Sequence, residues 1–291
     1  MYKELTIPAA VPREARSEFR KNYLLLTKAT DKLFLFSADH KVEHLDSDFH
    51  GPTTDIVAHN PRHLFSIAQE SPIGGLATQL GLISRYAADY PSVTYVAKLN
   101  STTNLVPREE KDPFSRLLWT VDDVITFKES SGIQVAGVGV TMYLGSIYED
   151  QMLEQAAYTI YNAHRNGLVA LLWMYPRGKS IADETDASLL AGAVGIANAL
   201  GADFVKIHAP SASQTTTQAE LLRFIVEAAG NTKVICAGGP FKDEKILLDT
   251  LEDQLTNGGI SGAAIGRSIF KHSLEDAVAL CKRLSKTIYG F

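Results

Sequence analysis

Short, almost wholly apolar runs recur along the chain, and most are followed by a stretch with helical spacing. "KLFLFSAD" ends near Asp39, the weaker "GGLATQ" near Gln79, and "SVTYVAKLN" near Asn100. "GIQVAGVGV" ends near Val140, "GLVALLWMYP" near Tyr175 and "ADFVKIHAP" near His208. "TKVICAGGP" ends near Gly238 and "ISGAAIGRS" near Gly266. Unbroken apolar character, rather than alternation, predicts parallel strands covered on both faces. Between the runs lie amphipathic segments such as "SIYEDQMLEQAAYTIYNAHRNG" and "TDASLLAGAVGIANALGA". Each closes on a glycine, Gly167 or Gly201, as a helix C-terminus favours.

Eight such strands alternating with helices over about 250 residues predict an α/β fold, a (β/α)8 TIM barrel. A doubly wound sheet is the competing architecture. No GxGxxG follows the first strand, and polar residues cluster at the C-terminal ends of nearly all the strands, which favours the barrel. Residues 1–30 form an N-terminal extension with a helix over "REARSEFRKNYLLLTKA", and residues 31–291 form the catalytic barrel. No low-complexity linker interrupts it.

The 291 residues are 45% hydrophobic, which is ample for one large core. The formal net charge is −5 with the signs mixed, so nothing suggests a nucleic-acid partner. The N-terminus has no signal-peptide pattern and no run reaches the roughly 18 apolar residues of a membrane span, so the expectation is no membrane partner. Two isolated cysteines, Cys236 and Cys281, fit a reducing, cytoplasmic setting without disulfides.

Barrel chemistry gathers where strands end. The first strand end offers Asp39 and His40, the third Lys98 and Asn100, the fifth Trp173, Tyr175 and Arg177, and the sixth Lys206 and His208. Lys206 stands inside "DFVKI", where a buried ammonium is costly. It is a carboxylate-paired lysine of the mouth, or an amine whose pKa is lowered by apolar surroundings and a second cation, Lys98, until it attacks a carbonyl. Tyr175 is packing, or a phenol whose pKa a cationic neighbour pulls down for proton shuttling. Trp173 shares its facing and forms an apolar wall. Asp39 is a helix N-cap, or a carboxylate that accepts a substrate proton. Gly238 and Gly239, then Gly266 and Arg267, occupy the last two strand ends, where barrels hold phosphate on backbone N–H groups. The histidines His40, His44, His50, His59 and His63, with Glu43, match no compact metal signature, so the expectation is no metal and no cofactor.

The motifs "DHKVEH", "KLNSTTNL", "YPRG", "DFVKI", "ICAGGP" and "GAAIGRSIF" together resemble the series of the archaeal-type class I fructose-bisphosphate aldolases. The related 2-amino-3,7-dideoxy-D-threo-hept-6-ulosonate synthases share it. The resemblance runs from about Leu33 to Leu284 in order and spacing. It implies a (β/α)8 barrel in which Lys206 forms the Schiff base, Tyr175 is the general acid/base and Asp39 matches the first-strand aspartate. It implies that Gly238, Gly239, Gly266 and Arg267 hold phosphate, and that the partners are a phosphorylated sugar and further copies in a homo-oligomer. Three departures fall near the mouth. The family's "DHGxEHGP" reads "DHKVEHLDSDFHGP", His208, Ala209 and Pro210 follow the lysine strand, and Ala237 stands where a serine often precedes the double glycine.

The implied reaction is reversible, metal-independent cleavage of a phosphorylated ketose, with fructose 1,6-bisphosphate giving dihydroxyacetone phosphate and glyceraldehyde 3-phosphate. Trp173, Lys98, His40 and Arg177 join the substrate-binding set. A lysine-dependent transaldolase-type synthase or thiolase on another phosphorylated ketone is the alternative, and a silent sugar-phosphate-binding barrel is an alternative of another class.

Overall fold

The computed structural model describes residues 5–107 and 110–291. The first four residues of the N-terminal extension therefore lie outside the described residues. Eight parallel strands close a barrel: β1 (Leu33–Ser37), β2 (Gly75–Gln79), β3 (Tyr95–Lys98), β4 (Val135–Leu144), β5 (Val169–Pro176), β6 (Phe204–Ile207), β7 (Lys233–Ala237) and β8 (Gly262–Ile265). Their order round the barrel is sequential, and β1 closes it by pairing Leu33 with Gly262 and Phe36 with Ile265. Every anticipated strand is present. Seven are buried along their whole length, and β7 shows solvent only at its two ends. That is why they read as apolar runs.

Two features escaped the pattern. The fourth strand does not stop near Val140 but continues to Leu144, pairing residue by residue with β5 as far as Pro176. No glycine or proline interrupts "TMYL" until Gly145, so nothing ends the ladder sooner. A two-residue antiparallel ladder, Asn100 and Ser101 against Leu117 and Arg116, folds the loop after β3 back over the mouth. It is too short to leave a periodic signature.

The amphipathic segments are helices Glu149–Arg165 and Ala187–Leu200. The second starts where the Asp186 side chain accepts from Leu189 N–H and ends on Gly201 in the left-handed region (φ 88°). The helix of the N-terminal extension spans Arg16–Thr27 and lies across the end of the barrel where strands begin. Phe19 and Leu26 are fully buried, Tyr23 stacks on Phe204 at 5.6 Å, and Asn22 donates to Gly167 O at 2.8 Å. Each such apolar side chain contributes about 1.5–3 kcal/mol. The extension thus caps the end away from the chemistry.

The extra residues after Glu43 are folded rather than loose. Phe49 is fully buried and stacks on Phe270 at 4.6 Å. Lys41 sits 3.8 Å over the Phe49 ring and 2.6 Å from Asp46 Oδ1. The lysine that replaces the family glycine therefore fastens this segment as a wall beside the mouth.

Inside the barrel one glycine makes room for the site. A Cβ at Gly139 would meet Trp173 Cζ3 at 1.9 Å and Cη2 at 2.6 Å, so the indole lies where a side chain would stand. Gly139→Ala is expected to lower stability by about 1–3 kcal/mol through overpacking, read as a fall in the denaturant midpoint. An unchanged midpoint would mean the indole has room elsewhere.

Candidate active site

Lys206 is 7% exposed, and its Nζ donates to Ser37 Oγ at 3.1 Å. It is therefore not a surface lysine. No carboxylate among the described residues stands within ion-pair distance. Burial lowers its pKa most; Asp39 and Glu43 pull it back in part, while Lys98 and Arg267 lower it further. Desolvation and like charges thus shift this group toward the free amine.

Trp173 is shared by the two lysines of the site. Lys98 Nζ is 5.5 Å from its ring and Lys206 Nζ 5.7 Å. Lys98 is fully buried, gives a hydrogen bond to Asn100 O at 2.9 Å, and stands 3.9 Å from Glu43 Oε1. It is the second cation anticipated for the lysine.

Asp39 precedes the short helix His40–Glu43, but its side chain makes no cap hydrogen bond. Its carboxylate is left to the cavity. Burial works against its charge, yet the lysines of the site, Lys206 first, outweigh burial and hold its pKa below the usual carboxylate value. Glu43 goes the other way. Burial raises its pKa, Asp39 adds to that, and Lys98 does not overcome them. Two carboxyl groups in one cavity are thereby pushed apart in protonation.

Tyr175 corrects an expectation. Its pKa is not pulled down but raised, first by burial and then by Glu43 and Asp39, with Arg177 opposing too weakly. Arg177 sits 5.3 Å from the Tyr175 ring, but Glu184 claims its guanidinium through Nε and Nη2 at 2.7–2.9 Å. The phenol therefore stays protonated in the resting site. His208 packs on Tyr175 at 4.7 Å between ring centroids, and burial with Arg177 and Lys206 lowers its pKa to about 4.

The last two strand ends complete the wall. A Cβ at Gly266 would lie 2.2 Å from Ser37 O and 2.7 Å from His40 Cε1, so only glycine lets these strands meet. Gly239 adopts φ 72°, and Arg267 Nε donates to Gly239 O at 3.1 Å. Gly238 lines the cavity, but its N–H already donates to Ala264 O at 2.9 Å, which leaves it no free donor for an anion. Asp48, from the extra segment, stands 3.8 Å from Arg267 Nη1 and 2.6 Å from His44 Nδ1. His40 is neutral at neutral pH, its pKa lowered to about 4 chiefly by burial.

All of Asp39, His40, Trp173, Tyr175, Arg177, Lys206, Gly238, Gly239, Gly266 and Arg267 line one cavity of about 110 Å³ at the C-terminal mouth. Lys98 is not among the lining residues; its Nζ lies 5.5 Å from the ring of Trp173, which is. A larger cavity, about 690 Å³, lies at the opposite end under the N-terminal helix and contains none of them. Chemistry, not size, marks the site. Among the described residues, Trp173 Nε1, Thr141 Oγ1 and His40 Nδ1 are buried without a hydrogen-bond partner, on side chains that line this cavity.

The histidines do not converge. His44 pairs with Asp48, His50 and His59 with Asp46, and His63 with Phe270 O and His272 O. Among the described residues no three His, Cys, Asp or Glu side chains form a metal-holding group.

Sequence reasoning passed over Ser37, Thr141 and Glu43 as an acid, whereas His208, read at the sixth strand end, does line the cavity. Ser37 lies two residues before Asp39 on β1 and shares its facing, a usable signal. Thr141 lies beyond the expected end of β4, so no signal was available.

Comparison with known proteins gives a consistent answer. A family model described as "DeoC/LacD family aldolase" matches residues 33–272. The chain is 44% identical over 282 residues to a Methanocaldococcus jannaschii protein named fructose-bisphosphate aldolase/6-deoxy-5-ketofructose 1-phosphate synthase, covering 97% of this chain and 89% of that protein. A solved fructose-bisphosphate aldolase from Slackia heliotrinireducens superposes with a TM-score of 0.97 at 44% identity, covering 100% of this chain and 92% of that one. An archaeal fructose-1,6-bisphosphate aldolase, solved with its catalytic lysine covalently bound to the carbinolamine intermediate, superposes with a TM-score of 0.77 at 26% identity over 94% of this chain and 100% of that one. Fold, motif order and family model agree: the chain belongs to the DeoC/LacD family of aldolases.

Proposed function

We propose that this chain is a class I, imine-forming aldolase that reversibly splits fructose 1,6-bisphosphate into dihydroxyacetone phosphate and glyceraldehyde 3-phosphate. The observation that carries this reading is Lys206, a buried amine of lowered pKa facing a cavity that also holds a charged carboxylate and a protonated phenol. The names of the Methanocaldococcus and Slackia relatives support the substrate, and the archaeal carbinolamine complex supports the covalent route.

Lys206 adds to the C2 ketone and, on loss of water, becomes an iminium. The iminium takes up the electron pair as the C3–C4 bond breaks. Asp39 accepts the C4 hydroxyl proton in that step, because its neighbours keep it charged. Tyr175 then gives its proton to the C3 carbon of the enamine. The iminium cation beside it favours the phenolate this leaves. Arg267 and the backbone at Gly239 and Gly266 hold a phosphate, with Gly238 supplying shape rather than a donor. His40 and Trp173 offer unpartnered N–H or N groups to the sugar hydroxyls. Arg177 and Lys98 supply positive charge at the rim and beside the indole.

A second reading draws on the double name of the Methanocaldococcus relative. The carbon skeleton of 6-deoxy-5-ketofructose 1-phosphate is dihydroxyacetone phosphate joined to 2-oxopropanal. The same imine would add either aldehyde. Supplying the donor with each aldehyde separates the two activities.

The same proposal includes residues 31–291 as one catalytic domain with residues 1–30 as an extension, a homo-oligomeric assembly and a cytoplasmic site of action. No described helix is long and apolar enough to cross a membrane.

Turnover assays test the roles. Lys206→Met should reduce cleavage of fructose 1,6-bisphosphate to background, with a chelator leaving the parent enzyme unaffected; activity retained by the variant, or abolished by the chelator, contradicts the imine route. Tyr175→Phe should lower kcat by about 10²–10⁴-fold with little change in KM, the range of a lost proton donor. Arg267→Met should raise KM by roughly 10- to 100-fold, from the ~1.5–3 kcal/mol of a hydrogen bond to a charged group. An unchanged KM would remove Arg267 from phosphate binding.

A further inference from the structure

The extra segment after Glu43 is docked on the phosphate end of the site. Phe49 stacks on Phe270, the last residue of the short helix Arg267–Phe270, and Asp55 N–H donates to Lys271 O at 2.9 Å just beyond it. Asp48, next to Phe49 in sequence, is thereby set beside the residue that opens that helix. Its Oδ1 stands 3.8 Å from Arg267 Nη1, and its Oδ2 2.6 Å from Nδ1 of His44, which lines the cavity. The mechanism above has no use for this carboxylate.

At that separation Asp48 is within ion-pair range of Arg267 but beyond hydrogen-bond range. Arg267 commits Nε to Gly239 O at 3.1 Å, and among the described residues neither of its Nη groups gives a hydrogen bond. Asp48 therefore offsets the charge of the guanidinium without taking its donors. Asp48 is buried, which opposes its charge, but the hydrogen bond with His44 and the nearby Arg267 outweigh burial and hold its pKa below the usual carboxylate value. It does not line the cavity itself, so it acts on a ligand by charge rather than by contact.

We propose that Asp48 is a specificity-determining residue of the phosphate end: its fixed negative charge weakens the hold of Arg267 on a phosphate, and so sets how strongly phosphorylated ligands are preferred over phosphate-free ones. This rests on the reading of Arg267 as a phosphate holder. A phosphate that takes the open Nη donors comes to lie near a second anion, and like charges at such range repel. Substrate and product both carry phosphate, so a tighter grip would lower KM and retain product without speeding the carbon chemistry. A counter-charge restrains that uniform grip. If Asp48 instead served only to hold Arg267 in place, its removal would weaken phosphate binding, the opposite sign.

The test compares dihydroxyacetone phosphate with dihydroxyacetone, the same ketone without its phosphate. The quantity read is the concentration of each that half-saturates inactivation by borohydride. Asp48→Asn, close in shape and still able to accept from His44, should lower this concentration for dihydroxyacetone phosphate by roughly 3- to 10-fold, the scale of one partly screened charge acting on a phosphate. The value for dihydroxyacetone should not move. Asp48→Ser, which also lacks the charge, should tighten dihydroxyacetone phosphate likewise, and added salt should narrow the gap between parent and variants. Weaker or unchanged binding of dihydroxyacetone phosphate by both variants, or an equal change for the two ketones, overturns the assignment. If Arg267→Met binds dihydroxyacetone phosphate as tightly as the parent, the phosphate role of Arg267 has failed, and the role of Asp48 with it.

Discussion

Moving a lysine amine from water into a barrel interior disfavours its charged form, and the remainder of the mouth is arranged round that fact. Among the described residues Lys206 has no ion-pair partner within reach; it has Ser37 Oγ, an indole ring and two further basic side chains. The folded protein tolerates the amine by favouring its uncharged form. Stability bears the consequence. Because the folded pKa lies below the ordinary 10.5, this group costs stability in full at pH values under the lowered pKa. The cost shrinks as pH rises and is gone above about 10.5. A site that holds a nucleophile ready therefore works against the fold that holds it, as active sites commonly do.

The barrel compensates by rigidity. Eight strands in sequential order fix which residues share a level, so Trp173 on β5 lies between Thr141 on β4 and Lys206 on β6. Gly139 then leaves room for the indole in the interior, its ring 5.7 Å from Lys206 Nζ and 5.5 Å from Lys98 Nζ. Gly266 lets β1 and β8 approach until His40 stands against the last strand end. The N-terminal helix closes the opposite end, so the loops at the mouth carry the chemistry and the base carries packing.

Strands were legible because burial on both faces removes polar residues from them, and the strand-end residues followed from that frame. Lys206, Tyr175, Asp39 and the strand-end glycines Gly238, Gly239 and Gly266 with Arg267 were placed at the mouth this way. What was not legible depended on distances across the barrel. The protonation of Tyr175 was misjudged because "YPRG" shows a cation two residues on but not that Glu184 occupies it, nor that burial dominates. Gly238 looked like a donor until its N–H was seen in the strand ladder. The segment from Lys41 to Phe49 offered no periodicity, since its order comes from single contacts: Lys41 on Phe49, Phe49 on Phe270 and Asp48 on His44.

Two buried lysines flank one indole, and the account turns on which of them carries the reaction. Reducing the enzyme with borohydride in the presence of dihydroxyacetone phosphate and mapping the modified peptide by mass spectrometry decides it. The account predicts a three-carbon adduct on Lys206, formed equally well with a chelator present. An adduct on Lys98, or none at all from an active enzyme, would contradict it.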